Sequence, residues 1–98
     1  MNKYLLLTIG FEMPTPEIME GWNKWFDSLT DVLVEQGGFS NATEIDKDGT
    51  TRDLPMDLEA ITGYVIIEAN DMAEAEKIAG QCPSITSIRV YEIRDMGH

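Results

Sequence analysis

The sequence predicts an α+β domain in which two helices cover one face of an antiparallel sheet. Three observations support this class. The predicted elements follow the order strand, helix, hairpin or strand, strand, helix, strand. Two of the strands, residues 4–10 and 62–68, are apolar on both alternating faces, which is typical of the centre of a sheet. Both helical segments carry an apolar stripe along one side. The 98 residues are expected to form one domain, 1–98, around a single core.

The N-terminal half is predicted to contain a strand and one long helix. In "KYLLLTIGF", residues 3–11, the side chains of Leu5, Leu7 and Ile9 lie on one face and those of Tyr4 and Leu6 on the other. Thr15 then caps a helix, with Pro16 at its first position. Apolar residues recur every three or four positions along this helix: Ile18, Trp22, Trp25, Leu29, Val32 and Leu33. This stripe predicts a helix that ends at Gly37-Gly38, where glycine accepts a left-handed conformation.

The middle and C-terminal parts supply the remaining elements. "ATEIDKDGTTRDL", residues 42–54, is polar on both arms and has a turn at "KDG", so it predicts a hairpin at an edge or protruding from the sheet. "ITGYVIIE", residues 61–68, is a strand. Asn70 or Asp71 caps a second helix, which Pro83 ends. Its inward stripe consists of Met72, Ala75, Ile78, Ala79 and Cys82. "SITSIRVYEI", residues 84–93, is the last strand.

Two split β-α-β units of this kind predict a ferredoxin-like fold. Strands 4–10 and 62–68 are expected to be parallel neighbours at its centre. We expect the helices to cover the face that carries Leu5, Leu7, Ile9, Val65 and Ile67. The opposite face would then expose Tyr4, Leu6, Thr8, Tyr64 and Ile66. Because such an apolar patch usually marks an interface, the sequence predicts a homodimer that pairs face to face.

Charge and composition restrict the possible partners. The chain has 18 acidic and 7 basic residues and a formal net charge of −11. Since nucleic acids and anionic membrane surfaces are bound through lysine and arginine, neither is an expected partner. No apolar run approaches the roughly 18 residues of a membrane span. Cys82 is the single cysteine and cannot form an internal disulfide, which favours a cytoplasmic location.

The C-terminal half resembles a known family. "GYVIIEANDMAEAEKIAGQCP", residues 63–83, followed by "IRVYEIRD" is similar to the YCII-related family, in the branch with an Asp-Gly-Pro-Phe motif. "KYLLLTIG" and the tryptophan-bearing helix also fit this branch, so the resemblance spans nearly the whole chain. It implies a ferredoxin-like fold and pairing into a dimeric α+β barrel. The activity of the family is mostly unassigned, so the resemblance implies no particular reaction.

The family's functional motifs are only partly present. At the place of the Asp-Gly-Pro-Phe motif the chain has Asp53-Leu54-Pro55-Met56, which keeps the Asp and the Pro. Some members of the family carry a His and Asp pair associated with acid–base chemistry. The single histidine here, His98, matches no such position, so the resemblance transfers no role for that pair.

Four residues are candidates for a small-molecule site. Asp53 is a turn or cap residue, or else a carboxylate at the mouth of a cleft that acts as an acid or base. Its partner in that case would be Tyr4, Tyr64, Tyr91 or Arg52. Trp22 and Trp25 either pack in the core or wall a cavity between helix and sheet. We therefore name Trp22, Trp25, Asp53 and Tyr64 as candidate ligand-binding residues, with Asp53 as the candidate catalytic residue.

Other motifs favour structural roles. "EIDKDG", residues 44–49, imitates the start of a calcium loop, but the twelfth position is Pro55 instead of a bidentate Glu, so a polar turn is the better interpretation. Cys82 is interpreted as a buried apolar residue, because no histidine lies near it in sequence to activate a nucleophile. We expect no metal and no cofactor.

Three functional hypotheses remain open. The first is a dimeric small-molecule-binding domain of YCII-related type without demonstrated catalysis. The second is a small cofactor-free isomerase, hydrolase or lyase that uses Asp53, an idea that rests on analogy of fold. The third is a regulatory or interaction module. A cavity between helix and sheet that holds convergent polar groups would favour the first two hypotheses.

Overall fold

The computed structural model describes residues 1–94 and contains two helices and six strands. The chain order is β1 (Asn2–Ile9), α1 (Pro16–Ser28), β2 (Leu33–Gly38), β3 (Ala42–Ile45), β4 (Thr51–Leu54), β5 (Ile61–Ala69), α2 (Met72–Ala79) and β6 (Ser87–Ile93). Four strands form one sheet in the order β2-β5-β1-β6, and β3 pairs with β4 in a separate two-stranded sheet. The predicted α+β class with an antiparallel sheet is confirmed.

The two central strands run antiparallel, so the prediction that residues 4–10 and 62–68 are parallel neighbours is wrong. β1 pairs with β5 antiparallel, with Leu6 opposite Val65 and Leu5 opposite Ile66. β5 is also antiparallel to β2, and β1 is antiparallel to β6. Apolar character on both faces identifies a strand as central, but it carries no information on the direction of its neighbour.

The face assignment of β1 is also wrong for Leu5 and Leu7, whereas Ile9 is buried. The helices cover Tyr4, Leu6 and Thr8, which are buried, whereas Leu5 and Leu7 lie half-buried on the opposite, open face. The assignment of β5 is right, since Val65 and Ile67 are buried under the helices while Tyr64 and Ile66 are not. The register explains the difference, because residues directly opposite one another in an antiparallel pair share a face, and Leu6 is opposite Val65.

Helix α1 is shorter than its apolar stripe predicts. Thr15 caps it, accepting a hydrogen bond from the backbone N–H of Ile18 at 3.2 Å, and Pro16 is its first residue, as expected. The helix ends at Ser28 instead of Gly37-Gly38. Ser28 and Thr30 donate their hydroxyls to the carbonyls of Trp25 and Asp27, which competes with further helical hydrogen bonds. The chain then continues as strand β2, in which Val34 and Glu35 are exposed.

Helix α2 lies close to the sheet. Asp71 is its N-cap and accepts a hydrogen bond from the N–H of Glu74 at 2.9 Å, while Asn70 donates to the Glu74 side chain. Cα atoms of α2 come within 8 Å of those of β1, β5 and β6, whereas no Cα of α1 does so within the described residues. The buried Ala75 and Ala79 permit this approach, as the sequence predicts. The helix ends at Ala79, before Pro83.

The polar hairpin is confirmed. Glu44 of β3 is opposite Arg52 of β4, and the two side chains form a salt bridge of 2.6 Å. Gly49 takes a φ of +93° in the turn, a conformation that glycine adopts without strain. Nearly all side chains of the two strands are exposed, so the hairpin protrudes from the main sheet.

Candidate functional site

A cleft of about 370 Å³ opens between α1 and the covered face of the sheet. We call it the aromatic cleft. Its walls include Trp22 and Phe26 of α1, and its floor is formed by three glycines together with two threonines: Gly37, Gly38, Gly63, Thr8 and Thr62. Since three floor positions lack a side chain, a ligand could approach the backbone of β2 and β5 closely. A cavity between helix and sheet is one of the two roles that the sequence leaves open for Trp22, the other being core packing.

A β-bulge places Thr62 in this cleft. Thr8 is opposite Gly63, but Ile9 is opposite Ile61, so Thr62 is the extra residue of β5. An extra residue breaks the alternation of side chains and redirects one of them. The side chain of Thr62 consequently meets that of Thr8, with their hydroxyl oxygens 2.9 Å apart. Bulges commonly serve this purpose beside functional sites.

The two hydroxyls form a small polar centre with unused acceptor capacity. Thr62 donates to the carbonyl oxygen of Thr8 at 3.2 Å, and Thr8 lies 3.4 Å from the carbonyl oxygen of Gly63. Each hydroxyl has one proton and two lone pairs. Because both protons have acceptors within the protein, the groups left for a ligand are lone pairs. The site is therefore suited to a ligand that donates a hydrogen bond.

The aromatic wall is fixed by packing inside the core. Trp25 is 3% exposed and donates its indole N–H to the carbonyl of Ile78 in α2 at 3.2 Å. Trp22 is half-buried and lies with its ring centroid 5.8 Å from that of Trp25, in an edge-to-face arrangement. Trp22 also stacks on Phe26 at 5.8 Å. Trp25 is thus an anchor that holds α1 to α2, while Trp22 presents a ring surface to the cleft.

Trp22 also borders a second cavity of about 310 Å³, toward the N-terminus of α1. Thr62 lines both cavities, and the far wall of the second one includes Phe11, Ile18 and Ile85. Among the described residues, Trp22 and Thr62 are the two that border both cavities.

Tyr64 lies at the outer border of the aromatic cleft, but its side chain is on the open face of the sheet, the same face as that of Leu7. Its ring crosses β2 at Gly37, where an added Cβ would come within 2.5 Å of the ring carbon Cε1. Its hydroxyl donates a short hydrogen bond to the carboxylate of Glu35, and its ring stacks on Phe39 with centroids 5.8 Å apart. The bond to Glu35 raises the pKa of Tyr64, because it stabilises the neutral phenol; partial burial and the negative charge add to the effect.

The aromatic cleft is lined by uncharged residues. The remaining lining residues among those described are Gln36 and Val65, so neither wall nor floor carries an acid or a base. The rest of the chain is strongly acidic, with a net charge of −11. The negative electrostatic field of the chain would repel an anionic ligand, and the cleft offers no cationic side chain to offset this repulsion.

Asp53 lies at a different place. It is exposed on β4, opposite Thr43, and lines a groove of about 670 Å³ between the hairpin and the start of β5. Arg52, one of its proposed partners, pairs with Glu44. Tyr4 is fully buried in the core, and Tyr64 borders the aromatic cleft. The four candidate ligand-binding residues therefore do not converge: Trp22 lines the aromatic cleft, the side chain of Tyr64 lies on the open face of the sheet, Trp25 packs in the core, and Asp53 lines the hairpin groove.

Cys82 is 9% exposed, and burial raises the pKa of its thiol to about 12. This agrees with its interpretation as a buried apolar residue. Residues 46–49 form the hairpin turn, where Gly49 donates to the carbonyl of Asp46 at 2.8 Å. His98 lies outside the described residues.

Sequence reasoning missed the two threonines and assigned Thr8 to the open face. One signal was available in "ITGY", since a glycine inside a strand pattern often marks a bulge. The contact between Thr8 and Thr62 joins residues that are 54 positions apart, so only the register could identify it.

Comparison with models of known families and with curated proteins finds no match to this chain. Among the described residues, no helix has the length and apolar character required to cross a membrane.

Proposed function

We propose that this chain is a homodimeric small-molecule-binding domain of YCII-related type and that its ligand binds in the aromatic cleft. The observation that carries the proposal is the pair of hydroxyls of Thr8 and Thr62, which a bulge holds together in the cleft that Trp22 also lines. Apolar clefts with a few convergent polar groups are the usual form of small-molecule sites. Binding without catalysis is the favoured function, because the cleft is lined by uncharged groups.

The chemistry of the cleft defines a class of ligand. Trp22 and Phe26 favour a flat ring, because aromatic faces stack on one another. The free lone pairs of Thr8 and Thr62 favour a ligand with an N–H or O–H donor. The acidic chain disfavours anions. The proposed ligand is therefore an uncharged aromatic compound with one hydrogen-bond donor.

The proposal also covers the fold family, the dimer architecture and the cellular location. The strand order β2-β5-β1-β6, with both helices on one face, supports a ferredoxin-like split β-α-β arrangement. The uncovered, partly apolar face of the sheet supports a dimeric α+β barrel. The degenerate motif Asp53-Leu54-Pro55-Met56 ends the hairpin and borders its groove. A free, buried Cys82 supports a cytoplasmic location.

The binding proposal can be tested with indole and 1-methylindole. The two probes have nearly the same shape, but only indole carries an N–H donor. We expect indole to shift the backbone amide NMR signals of Thr62, Gly63 and Gly38. 1-Methylindole should bind several-fold more weakly, because a hydrogen bond of this kind contributes about 0.5–1.5 kcal/mol. Thr62→Val should weaken indole binding and reduce the preference for it over 1-methylindole.

Thr43→Val is the matched control, because Thr43 is an exposed threonine of the hairpin strand β3. It should leave the affinity for both probes unchanged. Shifts confined to the hairpin groove, at Phe39 and Asp53, would contradict the assignment of the site to the aromatic cleft. Equal binding of the two probes would contradict the role of the hydroxyls.

A further inference from the structure

The open face of the main sheet has a regular arrangement of apolar residues in its middle. In one row, Ile66 of β5 is opposite Leu5 of β1, which is opposite Tyr91 of β6. In the next row, Tyr64 is opposite Leu7. Tyr91 is 46% exposed, and the two leucines and Ile66 are only half-buried, since no helix lies on this side.

The charged residues on this face are divided by sign. The strands place four of them here, and the two basic ones, Lys3 of β1 and Arg89 of β6, lie on one half. The two acidic ones, Glu68 of β5 and Glu35 of β2, lie on the other half. The chain has only 7 basic residues against 18 acidic ones, so two basic residues out of four is a local excess. The face is thus apolar in the middle, positive on one side and negative on the other.

A surface of this kind is complementary to a second copy of itself in a particular orientation. A twofold axis that lies in the interface, runs along the strands and passes between β1 and β5 exchanges these two strands. Each β1 residue then faces the β5 residue that is its own register partner, but in the other subunit. Leu5 meets Ile66, Leu7 meets Tyr64, and Lys3 meets Glu68 across the interface.

The outer strands are matched by the same operation. β6 of one subunit faces β2 of the other, so Arg89 faces the level of Gly37, since both residues occupy the row of Leu7 and Tyr64. The carboxylate of Glu35 is held over this row by the hydroxyl of Tyr64. Arg89 therefore comes within reach of Glu35 of the other copy. This operation brings each basic residue of one copy toward an acidic residue of the other.

We propose that two copies of the chain pack through this open face about a twofold axis parallel to the strands, with Arg89 paired to Glu35 and Lys3 to Glu68 across the interface. The inference rests on the homodimer of the proposed function and adds its geometry. Complementary charges of this kind fix the orientation of partners and suppress others. They also offset locally the repulsion between two chains that each carry −11 charges.

Charge reversal in mixed samples tests the geometry. Each single variant places like charges at both symmetry-related contacts. In Arg89→Glu two glutamates face each other, and in Glu35→Arg two arginines do. We expect each variant to dimerise at least about tenfold more weakly than the wild type, because like charges in an interface are strongly unfavourable. An equimolar mixture should form heterodimers, since one contact then restores the wild-type pair and the other pairs the reversed charges. Analytical ultracentrifugation or native mass spectrometry, with circular dichroism as a folding check, measures this.

A second pair of variants, Lys3→Glu and Glu68→Lys, should behave in the same way and does not involve the bond to Tyr64. Lys47→Glu in the hairpin turn is the control for net charge and should dimerise as the wild type does. A wild-type monomer at micromolar concentration would overturn the homodimer itself. A dimer that ignores both reversals, or folded variants that fail to combine in the mixture, would overturn the geometry and leave indole binding in the aromatic cleft untouched.

Discussion

The hydroxyls of Thr8 and Thr62 lie 2.9 Å apart on the covered face of the sheet, and Thr8 is only 7% exposed. Buried hydroxyls are unfavourable unless they are hydrogen-bonded, and both of these have protein partners. The polar pair therefore marks the point where the core opens into the aromatic cleft.

The first prediction concerns Gly37 and Gly38, adjacent glycines of β2. In Gly37→Ala, the new Cβ would come within 2.5 Å of the Tyr64 ring, so the ring must move and lose its bond to Glu35. We expect a loss of about 1–3 kcal/mol in the free energy of unfolding, as for other overpacked sites. Urea denaturation followed by circular dichroism measures this.

Gly38→Ala is the control for that variant. The nearest atom to its Cβ is the carbonyl oxygen of Thr62 at 3.9 Å, an ordinary contact, and neither glycine has a positive φ. Gly38→Ala should change stability little, or increase it by about 0.4–1 kcal/mol through the reduced entropy of the unfolded chain. Equal destabilisation by both variants would show that Tyr64 does not cross β2 at Gly37.

The second prediction concerns pH. The hydrogen bond to Glu35 raises the pKa of Tyr64 above its ordinary value of 10.0 in the folded chain. The unfolded chain loses this phenolic proton first, so the contribution of Tyr64 to stability is complete below pH 10 and decreases as pH rises from there through the folded pKa. The free energy of unfolding of the wild type should thus decrease more steeply above pH 10 than that of Glu35→Gln.

Tyr64→Phe is the control for the pH experiment, because it removes the titrating group and keeps the ring. Its free energy of unfolding should also decrease less steeply above pH 10 than that of the wild type. Ultraviolet absorbance at alkaline pH should show one tyrosine of high pKa fewer. Identical slopes in the wild type and both variants would mean that Tyr64 and Glu35 do not interact in solution.

The third prediction concerns Cys82. Burial raises its pKa from 9.0 to about 12, so the thiolate fraction at pH 8 is lower by about a thousandfold than for a free thiol. Native protein should react with Ellman's reagent far more slowly than protein unfolded in urea. Cys82→Ala, which has no thiol, gives the background. A native thiol that reacts as fast as the unfolded one would place Cys82 at the surface.

The local patterns of the sequence predict the helices and strands well. They predict poorly where an element ends and which of its faces is buried. Thr15, Asp71 and Gly49 have local chemistry that defines two caps and a turn, and the structure contains all three. Leu29, Val32 and Leu33 continue the stripe of α1 because they also contact the core, although the chain has already left the helix. The spacing of apolar residues indicates which residues are buried, but it does not show that they belong to a helix. A turn followed by a strand can bury the same residues as a longer helix.

The candidate site was even less accessible to sequence reasoning. Trp22 was found because its position in an apolar stripe is visible in the sequence. Thr8 and Thr62 were not, because their contact depends on which residue of β5 is the extra one. A shift by one residue would place Thr62 on the open face. Long-range register therefore decides the chemistry of the cleft, and no local pattern specifies it.

The last prediction distinguishes residues that are needed for dimerisation from residues that are needed for folding, by comparing Leu5 with Leu6. Leu6 is fully buried under the helices, whereas Leu5 lies on the open face, one residue away on the same strand. Leu6→Asp places an unpaired charge in the core and should prevent folding, because such burial costs several kcal/mol. Leu5→Asp places the charge in the proposed interface and should give a folded monomer.

Circular dichroism and sedimentation velocity on both variants distinguish these outcomes. In the wild type, the dimer should tighten as salt is raised from low to moderate concentration, since the long-range repulsion between two chains of charge −11 is screened. Leu5→Asp should remain a monomer at every salt concentration, because the charge it introduces would have to be desolvated against the apolar middle of the other copy. A folded Leu5→Asp dimer would move the interface to another surface, and a folded Leu6→Asp protein would contradict the assignment of the covered face.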